Sequence, residues 1–447
     1  ISRGEFFGGS IWALIKAFGS PFKTLMKMGM LEEYMFKDSK SNLLCHEIKR
    51  KVQEGLFPYL KIDPYLNMFE RVQAFFKKTK TYNEIDALRM SFYLKVGTQV
   101  NRKEIKNGSQ DYKKATLIKM IQEWGWPAYK IEQLNDYKNW QMNKKVALGN
   151  RINKILMNSY KNISDKNKSL DAGESLINEQ DTNLLGRKLY SYYRKAPYKV
   201  ENLGGFVDGA LGEKELTIIY DQETARAKGF WYLVRGKTLA TLERLDPELI
   251  IKKAATLEYL LAFSTFNKLY NKNTQVLLRA DMTAYKDNSI NAALNHLSEF
   301  IARVNIAQVP NEDLLAGARA KQIFIILDYG PNFPREALLV KITTCKDNKE
   351  RSVFIKKRLE RLRSATYIFL NTWGELFCKT FSGLQSLTRC LNELAPQISA
   401  KNLENPDSLK IFFPTGRNES FEVPWMYSYI RRSLEPKEQT LSAKAAS

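Results

Sequence analysis

The sequence predicts an α+β protein, with an all-helical N-terminal domain over residues 1–163 and a mixed domain with mainly antiparallel strands over 184–432. Three observations carry this. Apolar residues recur at helical spacing up to residue 163. Beyond residue 184, short β-branched and aromatic runs come in pairs across polar loops. Between them, 164–183 (SDKNKSLDAGESLINEQDTN) has few large apolar side chains and reads as a linker.

The helical elements follow in order. In Gly8–Lys27, GGSIWALIKAFGSPFKTLMK, two short helical patterns meet at Gly19-Ser20-Pro21. Gly19 is expected to close the first helix in the left-handed conformation, Ser20 to cap the second, and Pro21 to occupy its first turn. Tyr65, Met68, Phe69, Val72 and Phe76 follow an Asp63-Pro64 start. Ile85, Leu88, Phe92 and Val96 repeat the pattern, as do Leu117, Ile118, Ile121 and Trp124, and one long segment runs from Ala128 to Ile163. Trp124, Trp126 and Trp140 read as core anchors.

In the second domain a helix is expected over Arg187–Lys195, then an antiparallel pair, Leu216–Tyr220 with Gly229–Val234. Pro247–Tyr270 reads as one long helix, Val276–Arg279 as a strand and Ile290–Val304 as a helix. Gln322–Leu327 with Ala337–Ile342, and Thr366–Leu370 with Leu376–Thr380, form two further strand pairs. Lys356–Arg363 reads as a solvated charged helix face, Gly383–Leu394 as a helix and Leu409–Phe413 as a last strand. The tail, 433–447, is polar and expected to be disordered, and no internal repeat is evident.

Of the 447 residues, 70 are Lys or Arg and 48 Asp or Glu, a net charge of +22. Residues 1–163 hold 29 basic and 15 acidic residues, so they carry +14 of it. Such a surface favours polyanions, although a generally lysine-rich composition gives the same figure. No signal-peptide pattern opens the chain, and no apolar run approaches the ~20 residues of a membrane helix. Leu257–Phe266 is the best such run and reads as a buried helix. Cys45, Cys345, Cys378 and Cys390 are scattered, as suits a reducing cytoplasm, the expected location.

Familiar catalytic patterns fail in detail. His46-Glu47 begins like a zinc-protease signature, but Arg50 stands where the second histidine belongs. Gly236-Lys237-Thr238 ends like a phosphate loop, but Trp231 replaces its first glycine, so a turn after a strand is expected. No two aspartates stand two apart, and Glu84-Ile85-Asp86 falls in a helical pattern where such positions diverge. No catalytic or metal-ligating residue is therefore assigned in this chain. What remains is the second helix start, where Ser20 with Lys23, Lys16 and Lys27 offers a hydroxyl, amides and ammonium groups to phosphate. The plain alternative is that Ser20 only caps a helix and the lysines are solvated.

The segment FFGGSIWALIKAFGSPFKTLMK resembles the class I adenylate cyclases of gammaproteobacteria. YLKIDPYLNMFERVQAFF, SFYLKV, EWGW, Asn139-Trp140, SYKNI, GRKLYSYYRKAPYKV, LTIIYD and KGFWYL follow in family order. The likeness covers about residues 6–420 and is strongest to Ile163. It implies, for the intact protein, cyclisation of ATP to cyclic AMP and diphosphate, with Mg²⁺ as cofactor. In this family a glycine-serine turn followed by an aspartate pair lies upstream of the matching region. Neither Gly9-Ser10 nor Gly19-Ser20 is followed by that pair, so this chain alone is expected to be inactive. The resemblance sets Ser20 and Lys23, with Lys16 and Lys27, against the ATP phosphates, and makes residues 1–163 a partner of the nucleotide pocket. It also implies a regulatory role for 184–432 and a protein of the sugar phosphotransferase system as partner. A basic nucleic-acid-binding protein and a non-catalytic interaction module are the competing readings, although nucleic acid is not the expected partner.

Overall fold

The computed structural model describes residues 3–37, 43–55, 63–140, 142–169, 184, 186–188, 190–192, 194–203, 212–221, 229–240, 242–279, 287–301, 309–327, 362–398, 405–412 and 424–434. The chain divides into two compact units, Ile1–Leu189 with Leu203–Asp208, and Tyr190–Asn202 with Gly209–Ser447.

The first unit is helical: α1 (Arg3–Ala17), α2 (Pro21–Phe36), α3 (Leu44–Gln53), α4 (Pro64–Thr79), α5 (Tyr82–Val96), α6 (Arg102–Asn107), α7 (Tyr112–Trp124), α8 (Ala128–Asn135) and α9 (Met142–Lys168). The starts follow local chemistry. Asp63 Oδ1 accepts the amides of Tyr65 and Leu66 at the start of α4, and Asp111 does the same for Lys113 and Lys114 at α7. Gly97 and Gly125 close α5 and α7 at φ 70° and 67°.

Helix α2 is the hub, packed against α1, α4, α5 and α9. Gly29 lets α4 come close, because a Cβ there would stand 2.5 Å from Val72 Cγ1. Such burial makes the two acids of α2 expensive unless paired. Glu32 accepts from Lys80 Nζ and Asn162 Nδ2, both at 2.7 Å, and Glu33 accepts from Arg71 Nε at 2.6 Å and Lys37 at 2.8 Å.

Two expectations fail here. Gly19 does not adopt the left-handed conformation. Instead α1 closes on one acceptor, the Lys16 carbonyl, which takes the N–H groups of Gly19 at 3.3 Å and Ser20 at 3.0 Å. The segment from Ala128 to Ile163 is not one helix. It breaks at a 3-10 turn, Tyr137–Asn139, and α9 then runs on to Lys168, so the first five residues of the predicted linker are helical. Residues 170–183 lie outside the described set.

Among its described residues the second unit contains two four-stranded sheets. Strands β1 (Glu215–Asp221), β2 (Phe230–Arg235) and β3 (Ile250–Ala254) form an antiparallel meander, α10 (Leu257–Phe266) follows, and β4 (Gln275–Arg279) returns parallel to β1 before α11 (Asp287–Phe300). After the short α12 (Asn311–Leu315), the order recurs. Strands β5 (Ala320–Leu327), β6 (Ser364–Asn371) and β7 (Leu376–Ser382) form a meander, α13 (Ser386–Leu394) follows, and β8 (Leu409–Phe412) returns parallel to β5 before α14 (Pro424–Leu434). The sheet orders, β3-β2-β1-β4 and β7-β6-β5-β8, are the same. Among the described residues, which leave out 328–361 between β5 and β6, the order β-β-β-α-β-α thus occurs twice, a topological duplication that the sequence conceals. The expectation of no repeat is corrected. The α+β class with mainly antiparallel strands holds.

Other differences have local causes. Pro247–Tyr270 is a 3-10 turn, strand β3 and helix α10, because Ile250–Ala254 finds a hydrogen-bonding partner in β2. Gln322–Leu327 pairs with β6 and β8, and its predicted partner Ala337–Ile342 lies outside the described residues. So do 356–361 of the predicted charged helix face. Ser433 and Leu434, assigned to a disordered tail, end α14, where Leu434 is fully buried. Among the described residues no helix is long and apolar enough to cross a membrane, and Cys45, Cys378 and Cys390 are unpaired thiols.

Candidate functional site

The predicted phosphate-binding residues gather around the α1–α2 turn. Ser20 stands at the N-cap of α2 with φ −149° and ψ 62°, and its carbonyl accepts the N–H of Thr24 at 3.1 Å and the Thr24 hydroxyl at 2.9 Å. Its own hydroxyl makes no cap bond, contrary to the simple capping reading, and the residue is exposed. Pro21 fills the first helical position, as expected.

The lysines differ in placement. Lys23 is half-buried, with Nζ 5.6 Å from the centre of the Tyr65 ring. Lys27 lies one turn on and is exposed, so the two ammonium groups share the narrow strip of α2 that reaches solvent. Lys16, in the last turn of α1, is exposed and held over Trp12 at 5.0 Å. Ser20 and Lys23 therefore share the first turn of α2, Lys27 extends the strip, and the Lys16 side chain leans back along α1.

An aromatic cluster borders the same turn. The Phe22 ring meets Tyr137 edge-on at 5.5 Å, and Tyr137 lies 5.1 Å from Trp140. Lys145 Nζ stands 5.5 Å from the Tyr137 ring, although that lysine is only 4% exposed. Sequence reasoning missed Tyr137 and Lys145. The signal for Tyr137 was the break after Asn135, which brings its ring against Phe22 of α2, and Lys145 carried none. Trp124 and Trp126 are buried anchors, as expected, and Trp126 Nε1 donates to Asp86 at 3.0 Å. Trp140 is only half-buried.

Other candidates resolve into structure. His46 is exposed on α3, and Glu47 beside it accepts from Arg71 Nη1 at 3.1 Å. Gly236 turns the chain after β2 at φ 78°, and the Thr238 N–H bonds Thr217 Oγ1 at 3.1 Å. Glu84 and Asp86 lie on helix α5. Among the described residues no group of three His, Cys, Asp or Glu could hold a metal ion. Burial raises the Glu258 carboxyl to about 7, but the group is enclosed between α10 and β7, against the Thr380 hydroxyl at 3.5 Å. A carboxyl so enclosed has no route to a substrate.

A family described as "Adenylate cyclase, class-I, second domain" matches residues 1–204, and "Adenylate cyclase, class-I, third domain" matches 211–304. The adenylate cyclase of Escherichia coli (strain K12) is 26% identical over 427 residues, which cover 92% of this chain and 48% of that protein. The adenylate cyclase of Haemophilus influenzae is 26% identical over 423 residues, 92% of this chain and 47% of its own length. That of Pasteurella multocida is 26% identical over 422 residues, at 92% and 48%. The chain thus spans about half the length of the curated relatives it matches. No solved structure matches. The helical unit carrying the α1–α2 turn coincides with the second-domain match and the first β-β-β-α-β-α half with the third, and the chain belongs to the class-I adenylate cyclase family.

Proposed function

We propose that the intact protein converts ATP to 3′,5′-cyclic AMP and diphosphate, and that the α1–α2 turn forms the wall of the ATP pocket that faces the phosphates. In the reaction the ribose 3′ oxygen bonds the α-phosphorus, its proton leaves, and the bond to the diphosphate oxygen breaks. The observation that supports this role is the meeting, on one helical turn, of a Ser20 hydroxyl that makes no cap bond with the Lys23 ammonium. Ammonium groups beside the β- and γ-phosphates would offset charge that grows on the leaving diphosphate. The half-buried Trp140 and the Phe22–Tyr137 pair supply flat apolar surface beside that turn.

The described residues do not fit Mg²⁺, so no step is assigned to it on this chain. The groups that hold the metal and receive the 3′ proton are assigned to the part of the family that lies outside the matched half. By the same reading the protein works in the cytoplasm, and the second unit is its regulatory part, with a protein of the sugar phosphotransferase system as partner. Co-purification of that protein with this chain tests the last point.

Lys23→Ala in the full-length parent tests the phosphate wall. A charged hydrogen bond is worth about 1.5–3 kcal/mol, so loss of at least about tenfold in kcat/KM for ATP is expected. An unchanged KM and kcat would overturn the assignment.

A further inference from the structure

The first unit holds a cleft of about 490 Å³, between α2, α4, α5 and α7, which the cyclase reading does not use. We propose that this cleft is a separate binding site for a small planar anion, an aromatic body carrying one carboxylate, sulfonate or phosphate.

The volume is that of a small-molecule site. Its walls divide by chemistry. Met26, Phe92, Leu117 and Met120 form an apolar side, each of them at least nine-tenths buried in its own helix. Two methionines give that side a polarizable, adaptable surface suited to a flat ring. Tyr65 and Tyr112 add aromatic rings, each with a hydroxyl.

The charged positions favour an anion. Lys95 and Lys113 line the cleft, and among the described residues neither ammonium has a carboxylate partner. The one acid of the lining, Asp63, already accepts two amides of α4 through a single oxygen. The first turns of α4 and α7 both line the cleft, but their Asp caps take the N–H groups at their second and third positions. The lysines, rather than the helix amides, must therefore hold the anionic group. On the remaining side the C-terminal end of α5 meets Lys95 in its own last turn.

Titration of the purified chain with 1-anilinonaphthalene-8-sulfonate, followed by its fluorescence and by calorimetry, tests the proposal. Saturable binding with one site per chain is expected. The exposed double variant Lys95→Ala/Lys113→Ala should weaken it at least tenfold, and Thr116→Trp, which fills the cleft, should abolish it. Lys119→Ala, an exposed lysine of α7 outside the lining, should change it less than twofold, and millimolar ATP should not displace the probe. Non-saturable binding, equal affinity in the double variant, or displacement by ATP would overturn a separate site. None of these outcomes depends on cyclase activity, so the phosphate wall stands or falls apart from it.

Discussion

The two halves of the second unit share one topology and differ in how they bury their first helix. Helix α10 packs against β2, β3, β7 and α11, and nine of its ten residues are buried. Helix α13 has a sheet on one side only, and its buried positions, Ser386, Leu387, Cys390, Leu391 and Leu394, alternate with exposed ones at helical spacing. The sheets differ in parallel. In β6, Ala365, Tyr367 and Phe369 join the core beneath α13 and α14, while Thr366, Ile368 and Leu370 are equally buried on the other face. In the first half β3 and β4 remain largely half-buried. One chain order can thus be stabilised by a helix with a single apolar stripe or by a helix that is apolar nearly all round.

The comparison sharpens on a single residue. Helix α10 carries Glu258 into the dry space against β7, where Thr380 Oγ1 contacts it at 3.5 Å and Thr366 Oγ1 in turn donates to Thr380 at 2.9 Å. Among the described residues no ion pair holds it, in contrast with Glu32 and Glu33 of α2, which have Lys80 and Arg71. Burial raises the Glu258 pKa from 4.5 to about 7, and the same burial, with Glu258 nearby, raises the Cys378 thiol.

Removing what α10 buries should have the largest effect. Phe263→Ala, at a position 1% exposed, is expected to cost about 3–5 kcal/mol in denaturant unfolding, because a helix held on several sides cannot collapse into the void. Glu258→Gln comes next, with the opposite sign. A carboxyl whose pKa is raised in the fold binds more protons folded than unfolded, so stability is complete below pH 4.5 and falls as pH rises toward about 7. The amide should therefore match the wild type near pH 4.5 and exceed it by about 3 kcal/mol at pH 8. A wild-type stability curve that is flat between those values would show that Glu258 is not held dry. Thr380→Val, which removes the hydroxyl that faces that carboxylate at 3.5 Å, should cost about 1 kcal/mol at pH 8, read from thermal or denaturant melts.

The same contrast explains what the sequence made legible. Amphipathic elements were readable: α4 from Asp63-Pro64 and its Phe69, Val72, Phe76 stripe, and α13 almost to its ends. The buried helix Leu257–Phe266 was readable too, but the strand Ile250–Ala254 ahead of it was not, because its half-buried residues show no period that divides strand from helix. The duplication was hidden for the same reason, since two halves with different core demands share no spacing. At the candidate site, the positions of Ser20 and Pro21 were legible from turn chemistry. The closure of α1 on the Lys16 carbonyl was not, because Gly19 permits either conformation, nor was the approach of Tyr137 to Phe22, which joins residues more than a hundred apart.

Steady-state kinetics of the full-length parent tests the assignment of the α1–α2 turn most directly. Lys23→Ala should lower kcat/KM for ATP at least about tenfold, and Lys23→Arg should recover most of that loss, because it restores a cation that can reach phosphate. Wild-type kinetics in Lys23→Ala, or a loss that Lys23→Arg leaves unrepaired, would contradict the assignment of this turn to the ATP phosphates.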